Sequence, residues 1–191
     1  MASSASAFDN RFTRAFGMPV ERIQTKTRPY LTEPIKAFIA ESPLLVMATS
    51  DREGRCDASP KGGVPGFVRI LDDEHLLVPD VAGNKLFQSY LNMDENPHVG
   101  LLFLIPGLSE VVRVNGRVTI VGKDELDRRG VDGARYDPDV TRDVLQGILV
   151  EVEEAYTHCP RALNYSRLWD TDTIARRQAS GAHPLRAGAP A

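Results

Sequence analysis

Four clusters in this chain combine residue types that could hold or activate a ligand. The first is Asp57-Ala58-Ser59-Pro60-Lys61-Gly62-Gly63-Val64-Pro65-Gly66-Phe67. A strand that ends in Ser-Pro-Lys-Gly-Gly presents a hydroxyl, an ammonium and several bare backbone amides together, a mix that suits a phosphate or a polarised ring carbonyl. The same residues also read as a polar hairpin with glycines for the turn and a solvated lysine. The second cluster is Pro79-Asp80-Val81-Ala82-Gly83-Asn84-Lys85. Here a strand ends and a helix is predicted to open, with Asn84 near its cap and Lys85 in its first turn. Unpaired amides and the positive end of the dipole favour anions at such a point. A lysine there opposes the helix by itself, and a bound phosphate would resolve that conflict; the alternative is an exposed capping turn with an indifferent lysine.

The third cluster lies on Val111-Val112-Arg113-Val114-Asn115-Gly116-Arg117. Even spacing puts Arg113 and Arg117 on one strand face with Asn115 between them. Arg113 could reach a partner subunit or an anionic ligand edge, and exposure at a rim is the alternative for both arginines. The fourth, Tyr156-Thr157-His158-Cys159-Pro160-Arg161 running into Tyr165-Ser166-Arg167-Leu168-Trp169, sets a histidine beside a cysteine. Consecutive residues point apart and no second histidine stands at ligand spacing, which argues against a metal site or a nucleophile–base pair. A buried Cys159 and a hydrogen-bonded His158 are expected instead. No G-x-G-x-x-G follows a strand, and neither a Walker loop nor a G-x-S-x-G elbow occurs, so Rossmann-type dinucleotide binding and hydrolase chemistry lose support.

Short strands must position these clusters. A helix is announced at Thr32-Glu33-Pro34, with Ile35, Phe38 and Ile39 on one face. Leu44 to Thr49 follows as a strand closed by the turn Asp51-Arg52-Glu53-Gly54, and Phe67 to Leu71 pairs with Leu76 to Val78 across Asp72-Asp73-Glu74. Val99 to Ile105 reads as a central strand that Pro106-Gly107 turns into Val111 to Val121, with a bulge or bend at Asn115-Gly116. A last strand, Ile148 to Val152, follows a stretch rich in Asp and Arg. Five or six strands joined mostly by tight turns predict an antiparallel barrel. Two helices interrupt it: one after Gly83, with Leu86, Phe87, Tyr90 and Leu91 on one side, and one from Pro160 carrying Ala162, Leu163, Tyr165 and Trp169.

The 191 residues suit one domain that folds without disulfide or metal. We read residues 1–30 as an extension that wraps the domain or stays partly mobile, 31–170 as the domain, and 171–191 as a flexible tail, disordered or laid on a partner subunit. A net charge of -3 leaves no electrostatic footprint for nucleic acid or an anionic membrane. Two distant cysteines, a small polar N-terminus and no long apolar run predict a soluble cytoplasmic protein.

In order and spacing, these segments resemble the pyridoxamine 5'-phosphate oxidase-like flavoproteins, and most closely a bacterial subgroup of FMN-dependent enzymes. The resemblance runs over residues 35 to 170. It rests on Leu45-Val46-Met47-Ala48-Thr49 through Gly54, Asp57-Ala58-Ser59-Pro60-Lys61-Gly62, Pro65-Gly66-Phe67-Val68, Leu77-Val78-Pro79-Asp80 and Gly83-Asn84-Lys85. Asn96-Pro97 leading to Gly100-Leu101-Leu102-Phe103, Pro106-Gly107, Arg113-Val114-Asn115-Gly116, and His158-Cys159 with Arg167-Leu168-Trp169 complete it. It implies a mainly β antiparallel split barrel with flanking helices, acting as a homodimer with one FMN in each of two interface sites. Ser59 and Lys61, with Ala58 and Pro60 beside them, would hold the FMN phosphate together with Asn84 and Lys85. The backbone around Pro79 and Asp80 would lie against the flavin, and Arg113 and Trp169 would approach from the partner chain.

True pyridoxamine phosphate oxidases carry arginine where Ser59 falls and a second basic residue where Asn84 stands. Their C-terminal substrate-phosphate arginine and histidine have no counterpart here. The resemblance therefore implies an FMN-dependent oxidoreductase acting on another small redox substrate. A cation such as Lys61 or Arg113 near the ring would favour the reduced anion. The alternative is a flavin, haem or deazaflavin carrier or sensor on the same barrel, with His158 as a possible axial ligand.

Overall fold

A computed structural model of the chain describes residues 8–81, 85–131 and 143–181, with 183 and 185. Gly83, Asn84, the stretch at 132–142 and the end of the tail lie outside the described residues. Seven strands form one antiparallel sheet: β1 (Leu44–Ser50), β2 (Cys56–Gly62), β3 (Arg69–Ile70), β4 (His75–Val81), β5 (His98–Leu104), β6 (Val111–Gly122) and β7 (Val144–His158). Their spatial order is β2-β1-β5-β6-β7-β4-β3. The helices are α1 (Arg11–Phe16), α2 (Glu21–Gln24), α3 (Glu33–Glu41), α4 (Gln88–Glu95), α5 (Lys123–Arg128), α6 (Arg161–Ser166) and α7 (Thr171–Ala179).

Alternation along the strands builds the core. Leu45 and Met47 of β1, Leu101 and Phe103 of β5, and Val112 and Val114 of β6 all turn to one face, where Ile35 and Ile39 of α3 close over them. In β4 four successive residues, Leu76 to Pro79, are buried: Leu76 and Val78 enter this core, while Leu77 joins Leu126 of α5, Val131 and Val144 in a second cluster. That strand is covered on both faces, and its end delivers Asp80 to the site described below.

The hairpin turns form as their residues predict. Gly54 takes a φ of 80° that suits glycine, and its N–H donates to Asp51 O. The irregularity expected at Asn115-Gly116 is present: Asn115 pairs with Glu154 but Gly116 with Val152, so the extra residue, Glu153, stands on the facing strand. Glycine is required there, because a Cβ on residue 116 would lie 2.2 Å from the Glu151 carbonyl oxygen.

Several elements depart from the expectation. Phe67 to Leu71 contracts to Arg69–Ile70, because the adjacent Phe67 and Val68 are both buried and Phe67 N–H closes a turn onto Val64. The last strand is three times the predicted length, since β6 offers partners from Gly122 opposite Gln146 to Val111 opposite His158. The helix after β4 begins at Gln88, and it buries Ser89, Tyr90, Asn92 and Met93; Leu86, Phe87 and Leu91 are exposed. Part of the region read as a flexible tail, Thr171–Ala179, is helical and is capped by Asp170, whose carboxylate accepts from Thr173 N–H. In the N-terminal extension Arg28 exchanges both backbone hydrogen bonds with Ala155, at 3.1 and 2.7 Å, which straps residues 26–31 onto the outer half of β7.

Candidate functional site

One cleft of about 430 Å³ gathers residues from β2, the end of β4 and the segment leading into α4. Ala58, Ser59, Pro60 and Lys61 form one wall, and Asp80, Val81, Lys85, Leu86, Phe87 and Gln88 form the other. Six of the ten residues expected at a cofactor site therefore meet in one place: Ala58, Ser59, Pro60, Lys61, Asp80 and Lys85. Pro79 is buried in β4, paired opposite Gly147, and does not line the cleft. Asn84 lies outside the described residues.

Lys85 is not in a helical first turn, as the sequence reading had it. It precedes α4 by three residues and has a left-handed backbone, with φ of 59°, as does Phe87 at 52°. Such conformations cost a non-glycine residue about 1–3 kcal/mol and concentrate at ligand sites. Phe87 is also the N-cap of α4 and supplies no side-chain hydrogen bond to the helix's first amides. The side chain of Lys85 is exposed and has no ion-pair partner among the described residues. Lys61 does have one: its Nζ lies 3.3 Å from Asp80 Oδ1, with the two side chains only 26% and 18% exposed.

Behind Ser59 runs a chain of polar side chains that the sequence reading did not connect. Ser59 Oγ lies 3.3 Å from Ser89 Oγ, and Ser89 donates to Asp57 Oδ2 at 2.8 Å. The other oxygen of Asp57 accepts from Thr49 Oγ1, which itself accepts from Asn92 Nδ2 at 3.0 Å. Thr49, Ser89 and Asn92 are buried. Nothing in the local sequence pairs Asp57 with Ser89, 32 residues away; only the packing of α4 on β1 and β2 does so.

Arg113 does not line the cleft of its own chain. Its Nη2 lies 2.6 Å from Glu154 Oε1, which also accepts from Asn115 Nδ2, and its guanidinium carbon stands 4.5 Å from the centre of the Tyr156 ring. Lys26 Nζ, brought in by the N-terminal strap, is 4.3 Å from the same ring. His158 lies against Tyr156 with ring centres 4.8 Å apart, and accepts or donates no side-chain hydrogen bond among the described residues. Burial pushes its pKa down, and the nearby positive charges of Arg113 and Lys26 push it further. Cys159, expected to be buried, is exposed, and its thiol is pulled below the usual range by a hydrogen bond with Arg161. Trp169 also lies away from the cleft: its indole N–H donates to Leu108 O at 2.8 Å.

Residues 31–159 match the family model of pyridoxamine 5'-phosphate oxidase. That is well over half of the chain, and the chain belongs to this family. Among solved structures it is similar to HupZ of Group A Streptococcus, at 17% identity and a TM-score of 0.51, over 66% of this chain and 93% of that one. It is also similar to a Lactobacillus delbrueckii protein named for pyridoxamine 5'-phosphate oxidase, at 20% identity and a TM-score of 0.50, over 69% of this chain and 99% of that one. These likenesses show the fold: an antiparallel split barrel with flanking helices. No curated protein sequence matches the chain. Among the described residues no helix is long and apolar enough to cross a membrane.

Proposed function

We propose that this protein is an FMN-binding flavoprotein, an FMN-dependent oxidoreductase that acts on a small redox substrate other than pyridoxamine phosphate. The observation that carries the reading is the cleft, where Lys61 and Lys85 come from separate elements to one space beside an apolar rim of Leu86 and Phe87. Its volume of about 430 Å³ falls in the range of cofactor sites, roughly 300–1,000 Å³. The donor set fits a phosphorylated, planar and partly apolar group. Lys85, without an ion-pair partner among the described residues, would meet the phosphate, and Lys61 would support it while shared with Asp80. Leu86 and Phe87 would cover apolar ring surface.

Bound FMN would supply hydride or electron transfer; the chain's part is to bind it, orient it and exclude water. We further propose that the working unit is a homodimer, in which Arg113 and the Trp169 segment of one chain complete the cleft of the other. The exposed Leu86 and Phe87 of the cleft, with the exposed Leu91 on the helix that follows, support a covering partner. The departures at Ser59 and Asn84 speak against pyridoxamine phosphate as substrate. His158 stands on β7 among cations and away from the cleft, which weakens the haem reading. The test is an absorption spectrum of the purified protein with mass analysis of what heat releases. Paired flavin bands and released FMN are expected; a colourless protein that ignores added FMN would remove the assignment.

A further inference from the structure

The polar chain behind Ser59 has a direction, and the direction decides what Ser59 can offer a ligand. Asp57 as a carboxylate only accepts hydrogen bonds. Ser89 has one hydroxyl proton and directs it to Asp57 Oδ2 at 2.8 Å. At the Ser59–Ser89 contact of 3.3 Å, Ser89 therefore has only lone pairs left, so the proton between them belongs to Ser59. The far arm runs the same way, from Asn92 Nδ2 to Thr49 Oγ1 and from Thr49 to Asp57 Oδ1. Asp57 is the sink of both arms.

We infer that Asp57, acting through Ser89, turns the Ser59 proton away from the cleft, so that Ser59 faces the ligand as a hydrogen-bond acceptor. A phosphate oxygen needs a donor; a ligand hydroxyl or N–H needs an acceptor. Ser59 thus selects a hydroxyl or N–H of the ligand, and the phosphate is left to the lysines. Asp57, beside Ser59 in β2, and Asp80, across the cleft, are both carboxylates lining it, and their charge opposes a phosphate near Ser59. Asp57 is a positioning residue that sets specificity. The inference rests on the flavin reading for the identity of the ligand and not for the polarity of Ser59.

Two measurements test it. Neutron diffraction from the deuterated protein reads polarity without a ligand: a Ser59 deuteron between Ser59 and Ser89 is expected, and one pointing into the cleft would overturn the inference. Binding of FMN and of riboflavin to wild type and to Ser59→Ala reads the consequence. Loss of one neutral hydrogen bond should weaken both flavins by roughly two- to tenfold and leave the ratio of their affinities within about twofold. Weakening of FMN alone, or of neither flavin, would overturn it.

Asp57→Asn sharpens the result. Thr49 holds the amide oxygen on its side, so the amide NH2 faces Ser89, and the arm reverses: Ser59 then points its proton into the cleft. FMN should gain on riboflavin in this variant by more than it does in Asp57→Asn combined with Ser59→Ala, where only the charge has changed. An equal gain in both would count against the inference. If wild type binds neither flavin, the flavin reading falls, and the neutron map still decides the polarity.

Discussion

Lys61 and Asp80 face each other across the cleft with 3.3 Å between Nζ and Oδ1, joining the end of β2 to the end of β4. Both side chains are mostly buried, so the pair fixes one cation in place while taking away part of its charge. Lys85, exposed and unpaired among the described residues, keeps the whole of its charge. The two lysines therefore have unequal parts, one positioned and one available.

Replacing Lys85 with alanine should cost the most FMN affinity, roughly ten- to a hundredfold, the range of a hydrogen bond to a charged group. Asp80→Asn should act in the opposite sense, tightening FMN roughly two- to fivefold as Lys61 is released. The gain should shrink at high salt. Flavin fluorescence quenching at two ionic strengths checks both. Weaker binding in Asp80→Asn would mean that Asp80 orients Lys61 more than it neutralises it.

Lys26 and Arg113 flank the Tyr156 ring, and both hold the pKa of His158 down, after burial as the larger cause. Lys26→Met should raise that pKa, read from the imidazole protons by NMR. The folded state resists protonating His158 while the unfolded chain does not. Its contribution to stability is therefore complete above about 6.5 and is lost as pH falls through that value toward the depressed one. A His158→Gln variant should lose less stability over this window than wild type. An unchanged pKa in Lys26→Met would mean that residues 26–31 do not hold this position in solution.

Gly116→Ala should destabilise the protein by about 2–3 kcal/mol, because the added carbon meets the Glu151 carbonyl oxygen at 2.2 Å and a strand must move. Thermal unfolding checks this. Gly122, which has open space around it, is the control site for the same substitution, with an expected change below about 1 kcal/mol.

Cys159 and Cys56 are both exposed, and a hydrogen bond with Arg161 lowers the thiol of Cys159. Alkylation near neutral pH should label Cys159 first, and Arg161→Gln should slow it. Peptide mass mapping over a time course gives the two rates. Equal rates would show that Arg161 does not reach the sulfur.

Asp170 caps α7 and has its carboxyl held down to about 2 by Thr173 and Arg167. The cap is present above the ordinary carboxylate value of 3.8 and is lost as pH falls toward about 2. Hydrogen exchange in Thr171–Ala179 should rise over that interval in wild type. Asp170→Ala should exchange fast throughout.

The sequence by itself determined the parts of this protein that depend on neighbours along the chain. Apolar runs marked β1 and β5, Pro106-Gly107 marked the turn into β6, glycine and aspartate marked the turns at Asp51–Gly54 and Asp72–Glu74, and Ser59, Lys61 and Lys85 stood out as polar groups at the ends of elements. Ordered spacing over more than a hundred residues identified the family. Tertiary structure decided what depends on packing. The face that α4 buries carries Ser89 and Asn92 in place of the leucines, because α4 lies on the polar side chains of β1 and β2, and apolar periodicity carries no trace of that. It also decided that Lys61 is shared with Asp80 and that Asp57 commands Ser59 through Ser89. Those pairings join residues 19 to 32 positions apart, and a local pattern holds no information about which distant side chain will receive a proton.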